Sequence, residues 1–406
     1  MSHLIVDIEN TTTDELETLY EPRGVDKGRR PLNISEKVLR VSSDRLVLVG
    51  SDHTKEDFVT AFADAVHWYR QKFNDDHPFT FRYFAGEHEA SVKEMLWTLK
   101  SALKSSVPIE IWEGNEPATL SQPKFKSNSK ERANKLAEQG NHKCPPLAVS
   151  IQQRIGADNF SWYRTLASKR YSGRIDGLEV CFIEQDEKSG AVKIGKQGKN
   201  GAISCERKVF LGLSGNRESV EFDESNLDEA IKLLKKLADE RRSGVELSKC
   251  QPEHRLEAMI LSRRLPVVLD GKKLEPVISM DGLPFQFPTQ WSSTGSNRYV
   301  DALMRNSNVP WVIEIKDSGS AGQYLRHSVV QAVLYREFIR KAEKLHPWFK
   351  NRHLEADKCE AAVAFPTLKA SNKAELEHVK DLANLFGVYV VELPEPLHTA
   401  SPHSTS

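Results

Sequence analysis

Three charged residues sit inside two stretches that otherwise read as buried strands, and this constrains the fold more than any other feature of the chain. Tyr299-Val300-Asp301-Ala302-Leu303-Met304 is a strand-like run, Arg305-Asn306-Ser307-Asn308 supplies turn chemistry, and Trp311-Val312-Ile313-Glu314-Ile315-Lys316 is a second run. A Gly/Ser loop then leads into a long helical pattern reaching Arg340. Isolated buried charges are costly unless they are paired or bound to metal. Residues two apart in a strand share a face, so Glu314 and Lys316 point together while Ile313 and Ile315 face the packed side. The turn folds the first run back and brings Asp301 beside Glu314. That arrangement offers two oxygen ligands to a hard divalent cation, with an ammonium one pleat further on. It suits phosphodiester hydrolysis: the cation neutralises phosphate and acidifies a water, and the lysine orients that water or offsets developing charge.

Asp301 followed by Glu314-x-Lys316 on the next strand resembles the PD-(D/E)xK phosphodiesterase superfamily. Gln331-Ala-Val-Leu-Tyr335 resembles the Q-x-x-x-Y signature of its RecB-type branch, and Glu257 in His254-Arg-Leu-Glu-Ala-Met-Ile-Leu261 matches the helical glutamate that supports the metal there. The chain departs from the pattern in having Val300, not proline, before Asp301. The resemblance covers residues 251–395 and implies a site for Mg2+ or Mn2+. The ligands would be Asp301, Glu314 and the Ile315 carbonyl, joined by Glu257. Lys316 would serve the attacking water, and Gln331 and Tyr335, four apart on one helix face, would position the lysine or the phosphate. Arg298 and Arg305 are candidates for nucleic-acid contact, together with Arg255, Arg263, Arg264, Lys272 and Lys273. His327, one turn before Gln331, reads as a surface histidine, with contact to a phosphate as the alternative.

A chain of 406 residues is too long for such a core alone, so two or three domains are expected. Fifty-seven basic and 57 acidic residues cancel, which argues against a large non-specific electrostatic footprint but not against a local basic groove. Cys144, Cys181, Cys205, Cys250 and Cys359 include no C-x-x-C pair, which argues against a zinc ribbon or a four-thiolate iron–sulfur cluster. Their odd number without a secretory segment, and the lack of a transmembrane stretch, predict a cytoplasmic protein without membrane attachment.

Residues 1–112 alternate strand and helix patterns and predict an α/β domain of unknown role. Strands are expected at 45–50, 79–84 and 107–112, with helices over 55–73 and 87–103. No phosphate-binding glycine motif accompanies them. Residues 113–146, with Pro117, Pro123, Pro145 and Pro146, read as a linker or long loop. Residues 147–245 read as β-rich, ending in a bridging helix over 223–242 whose start resembles a capping box. Residues 246–395 form the nuclease-like domain, and 396–406 a frayed tail.

The fold class expected is therefore α/β. A restriction-endonuclease-like C-terminal core with a mixed sheet flanked by helices follows an α/β and a β-rich N-terminal region. The function expected is metal-dependent nuclease activity on nucleic acid, with DNA placed ahead of RNA. By analogy, it fits an effector of a prokaryotic anti-phage or restriction system. The N-terminal half would serve recognition, regulation, a protein partner or self-association. The alternative is an inactive nuclease-fold scaffold that binds nucleic acid or organises an assembly. A third possibility is a two-domain assembly protein in which the hairpin charges pair structurally.

Overall fold

The computed structural model describes residues 6–7, 40–41, 46–49, 55–73, 77–83, 85, 88–104, 107–114, 116–125, 144–156, 160–164, 170–175, 177–184, 192–194, 220–222, 224–242, 252–279, 282–293, 297–317, 322–367 and 373–394. The first sheet runs, in order, β1 (Val6–Asp7), β2 (Arg40–Val41), β3 (Leu46–Val49), β4 (Phe79–Tyr83), β5 (Ile109–Glu113) and β6 (Glu116–Pro117). β3, β4 and β5 are parallel, which demands crossover connections. Helices α1 (Lys55–Lys72) and α2 (Glu89–Ala102) provide them. Phe58, Phe62, Ala65 and Tyr69 of α1, and Val92, Leu96 and Leu99 of α2, are buried at helical spacing.

The middle region opens with a helix where β structure was expected. α3 (Pro146–Ile155) starts on a proline, whose missing N–H costs nothing in a first turn, and buries Leu147, Ala148, Ile151 and Ile155. An antiparallel meander follows: β7 (Ser161–Arg164), β8 (Arg170–Ile175), β9 (Leu178–Glu184), β10 (Val192–Ile194) and β11 (Val220–Phe222). Helix α4 (Leu227–Arg242) closes a core with α3 around Trp162, Tyr171 and Leu234. Of the region expected to be β-rich, residues 195–219 lie outside the described residues.

The C-terminal region begins with α5 (Pro252–Leu261) and the small hairpin β12 (Val268–Leu269) with β13 (Lys272–Lys273). There follow β14 (Glu275–Pro276), β15 (Phe287–Gln290), β16 (Asn297–Val300), β17 (Ala302–Asn306), β18 (Val309–Ile315), α6 (Gly322–Lys341), α7 (His346–Lys350), β19 (Glu360–Pro366), α8 (Lys373–Phe386) and β20 (Tyr389–Leu393). The main sheet has the order β14-β17-β18-β19-β20. β14, β17 and β18 are antiparallel, whereas β18, β19 and β20 are parallel, with α6 and α8 as crossovers.

The run expected over 299–304 is split at Asp301. β16 pairs with β15, and β17 pairs with β18, so Asp301 stands between two ladders. The turn is also tighter than expected: the strands extend to Asn306 and Val309, and Ser307 adopts a φ of 55°.

Both faces of β18 are covered. Ile313 and Ile315 pack with Leu256 and Ile260 of α5 and with Ala362 and Ala364. Val312 on the other face belongs to a core that runs through Val329, Val333 and Phe338 of α6 to Phe58, Phe62 and Leu96 of the N-terminal helices. One hydrophobic core thus joins α1, α2, β4 and β5 to the C-terminal sheet. The architecture is α/β, with mixed sheets flanked by helices at both ends of the chain. Among the described residues, no helix is long and apolar enough to cross a membrane.

Candidate functional site

The site is set by the register of β17 against β18. Ala302 lies opposite Ile313, so the residue before it, Asp301, falls opposite Glu314. The Ile315 N–H donates to Asp301 Oδ2 at 2.8 Å, and this bond replaces a ladder partner at the split between strands. Lys316 continues β18 by donating its own N–H to the Ala364 carbonyl at 2.9 Å. Its Nζ turns back to donate to Glu314 Oε1 at 2.7 Å and to the Ile315 carbonyl at 3.2 Å. Glu314 and Lys316 are only 2% and 7% exposed, so this is a buried charge pair.

The electrostatics follow from that burial. Desolvation, and then the neighbouring charges of Glu314 and Glu257, hold the Asp301 carboxyl well above the usual carboxylate range despite Lys316 and the Ile315 N–H. Burial alone would lower the Lys316 ammonium, but Glu314, Asp301 and Glu253 outweigh it and raise its pKa. Lys316 therefore stays cationic at neutral pH and acts as a donor and a charge, not as a proton acceptor.

Glu257, buried on α5, accepts a hydrogen bond from Gln286 Nε2 at 3.2 Å, with Arg174 Nη1 at 3.7 Å and His254 Nδ1 at 3.5 Å. On α6, Tyr335 is buried, with its ring centroid 5.5 Å from that of Trp291. Its phenol is pushed up by burial and then by Glu314 and Asp301, which places it in the field of the carboxylates. Gln331, one turn earlier, is half-buried, and its Oε1 has no hydrogen-bond partner among the described residues.

The residues expected to touch nucleic acid are placed differently from one another. Arg298 pairs with Glu56 of α1 and lies over the Trp291 ring, 5.0 Å from its centroid. His327 Nδ1 is 2.9 Å from Thr60 Oγ1 of the same helix. Burial and then Lys316 lower its pKa to about 4, so the ring is neutral at pH 7. Both line the junction with the N-terminal unit. Arg305 binds the carbonyls of Ser307 and Arg352 at the hairpin tip, the opposite end of β17 from Asp301. Arg255, Arg264, Lys272 and Lys273 are exposed, and Arg263 pairs with Glu275 at 3.1 Å.

Several residues near the site carried too little signal to be singled out. Glu253 lies 3.9 Å from Lys316 Nζ; its i,i+4 spacing from Glu257 on one helix face was the available clue. Arg174, Gln286, Glu56 and Thr60 reach the site only through tertiary packing, and nothing local in the sequence marks them.

Among the described residues, no three His, Cys, Asp or Glu side chains converge as a metal cage. What converges is Asp301, Glu314 and the Ile315 carbonyl, a set of hard oxygens in keeping with Mg2+ or Mn2+ chemistry. Glu314 Oε2 is buried without a hydrogen-bond partner among the described residues, a costly state that a cation would relieve. Compared with protein-family models, with curated proteins and with solved structures, the chain matches none.

Proposed function

We propose that the chain is a metal-dependent nuclease hydrolysing nucleic-acid phosphodiesters, with DNA ahead of RNA as substrate. Its core would be restriction-endonuclease-like: α5, the antiparallel strands β14, β17 and β18, then α6 and the parallel strand β19. The observation that carries the reading is the placing of Asp301, Glu314 and Lys316 at adjoining strand ends, with a buried Glu314 oxygen left without a donor among the described residues. When bound, Mg2+ or Mn2+ neutralises phosphate charge and acidifies water. Asp301, Glu314 and the Ile315 carbonyl would hold it, with Glu257 behind them. Lys316, kept cationic by its carboxylate neighbours, offsets charge on the phosphate. Tyr335 and Gln331 close the α6 side of the site and orient the phosphate or Lys316. The N-terminal unit, which supplies Glu56 and Thr60 at the site's margin, serves recognition or regulation.

One observation favours a second reading, a nuclease-fold scaffold without catalysis. Lys316 Nζ already engages both Glu314 Oε1 and the Ile315 carbonyl, oxygens that the cation would need. Calorimetric titration with Mn2+ separates the two. Uptake by wild type that is lost in Asp301→Asn and Glu314→Gln supports the nuclease. No uptake by wild type supports the scaffold.

A further inference from the structure

The middle β-sheet reaches the site with the side chain of Arg174. Arg174, on β8, is 13% exposed, and its Nη1 lies 3.7 Å from Oε1 of Glu257. Its other contacts fix it from several directions. Nε donates to Ser172 Oγ at 3.2 Å, Nη2 donates to Gln286 Oε1 at 3.4 Å, and the guanidinium carbon lies 4.4 Å from the Tyr163 ring centroid. Ser172 is itself held, its Oγ donating to Glu179 Oε2 at 2.6 Å. Gln286 completes the triangle by donating Nε2 to the same Glu257 oxygen at 3.2 Å.

The sheet is seated firmly enough for this to matter. Tyr163 shares a core with Leu256 and Ile260 of α5, the helix that carries Glu257. Arg164 donates its N–H to the Pro284 carbonyl at 2.9 Å, tying β7 to the segment that presents Gln286. At the turn between β8 and β9, Gly177 has a φ of 81°, and a Cβ there would overlap the His254 carbonyl of α5. The close approach therefore needs glycine.

We propose that Arg174 is a positioning residue for the metal site: the middle region orients Glu257 toward Asp301 and Glu314, so the C-terminal α/β region does not assemble its site alone. The inference rests on the nuclease reading above. Glu257 would stand behind the ligating oxygens, and losing an outer partner of a metal site costs roughly 10- to 100-fold in metal binding.

The test is a double-mutant cycle on the full-length chain, with Mn2+ affinity read by calorimetry and folding checked by circular dichroism melts. Arg174→Ala should weaken Mn2+ binding by roughly 10- to 100-fold in the wild-type background. In Glu257→Ala it should change binding by no more than about twofold, because it acts through that carboxylate. Arg174→Lys keeps the charge and much of the stem but loses the planar fork, so it should fall between the two. It also carries the test if Arg174→Ala does not fold. Unchanged affinity in Arg174→Ala overturns the inference. So does an equal loss in both backgrounds, which would mark a general structural role. A wild type that takes up no Mn2+ overturns the nuclease reading itself, and the inference with it.

Discussion

The N–H of Ile315 donates to Oδ2 of Asp301 at 2.8 Å, fastening the start of one strand to the end of its neighbour. This bond sets a carboxylate opposite Glu314 at the point where β16 gives way to β17. Asn at position 301 keeps a carbonyl acceptor and removes the charge. Burial and Glu314 already disfavour that charge, so Asp301→Asn should melt at or above the wild-type temperature at pH 7. Metal-dependent cleavage should nonetheless fall by about 10²-fold or more. A lower melting temperature with unchanged cleavage would make the carboxylate purely structural.

Lys316 and Glu314 form a buried pair in which each compensates the other. Removing one partner of such a pair costs about 3–5 kcal/mol, because the other charge stays buried. Lys316→Ala should lose stability on this scale in urea denaturation, and Mn2+ should restore part of it by engaging Glu314. No restoration by Mn2+ would argue against a cation site at this carboxylate.

His327 predicts a stability change with pH. Its folded pKa is about 4, below the ordinary 6.5, so between these values the unfolded chain binds the extra proton. Stability from this residue is therefore present above about pH 6.5 and lost as pH falls toward 4, by up to about 3 kcal/mol. Melting curves of wild type should show that loss, and His327→Asn should show a flatter profile between pH 6.5 and 4. Parallel profiles would contradict it.

Glu56 and Arg298 link α1 to the segment beside the site, with Trp291 beneath the guanidinium. A charge-assisted hydrogen bond in a partly buried setting contributes about 1.5–3 kcal/mol. A denaturation cycle of Glu56→Ala, Arg298→Ala and the double variant should recover a coupling of that order. Strictly additive losses would mean the two side chains act independently.

Much of the fold was legible because it is written locally. Helical spacing marked 55–72 to within a residue, and alternation marked β18. The nearness of Asp301, Glu314 and Lys316 followed from strand periodicity and one turn. α3 was missed because its apolar residues follow two prolines and a strand-forming stretch begins soon after, at Ser161. The break at Asp301 depends on which partner strand each side of it finds, a tertiary choice. Arg174 and Gln286 meet Glu257 only once separate regions dock, so no spacing rule could reveal them. Arg298 reads as a free cation in the sequence, whereas its partner is a helix more than half the chain away.

The most direct test of the central claim is a cleavage assay on linear duplex, closed circular duplex, single-stranded DNA and RNA, with Mg2+, Mn2+ or EDTA. Folded wild type would run beside Lys316→Ala and Glu314→Gln. The prediction is cutting that requires the divalent cation and disappears in both variants, with DNA cut ahead of RNA. Cutting that survives in EDTA or in both variants would contradict a nuclease site built on Asp301, Glu314 and Lys316.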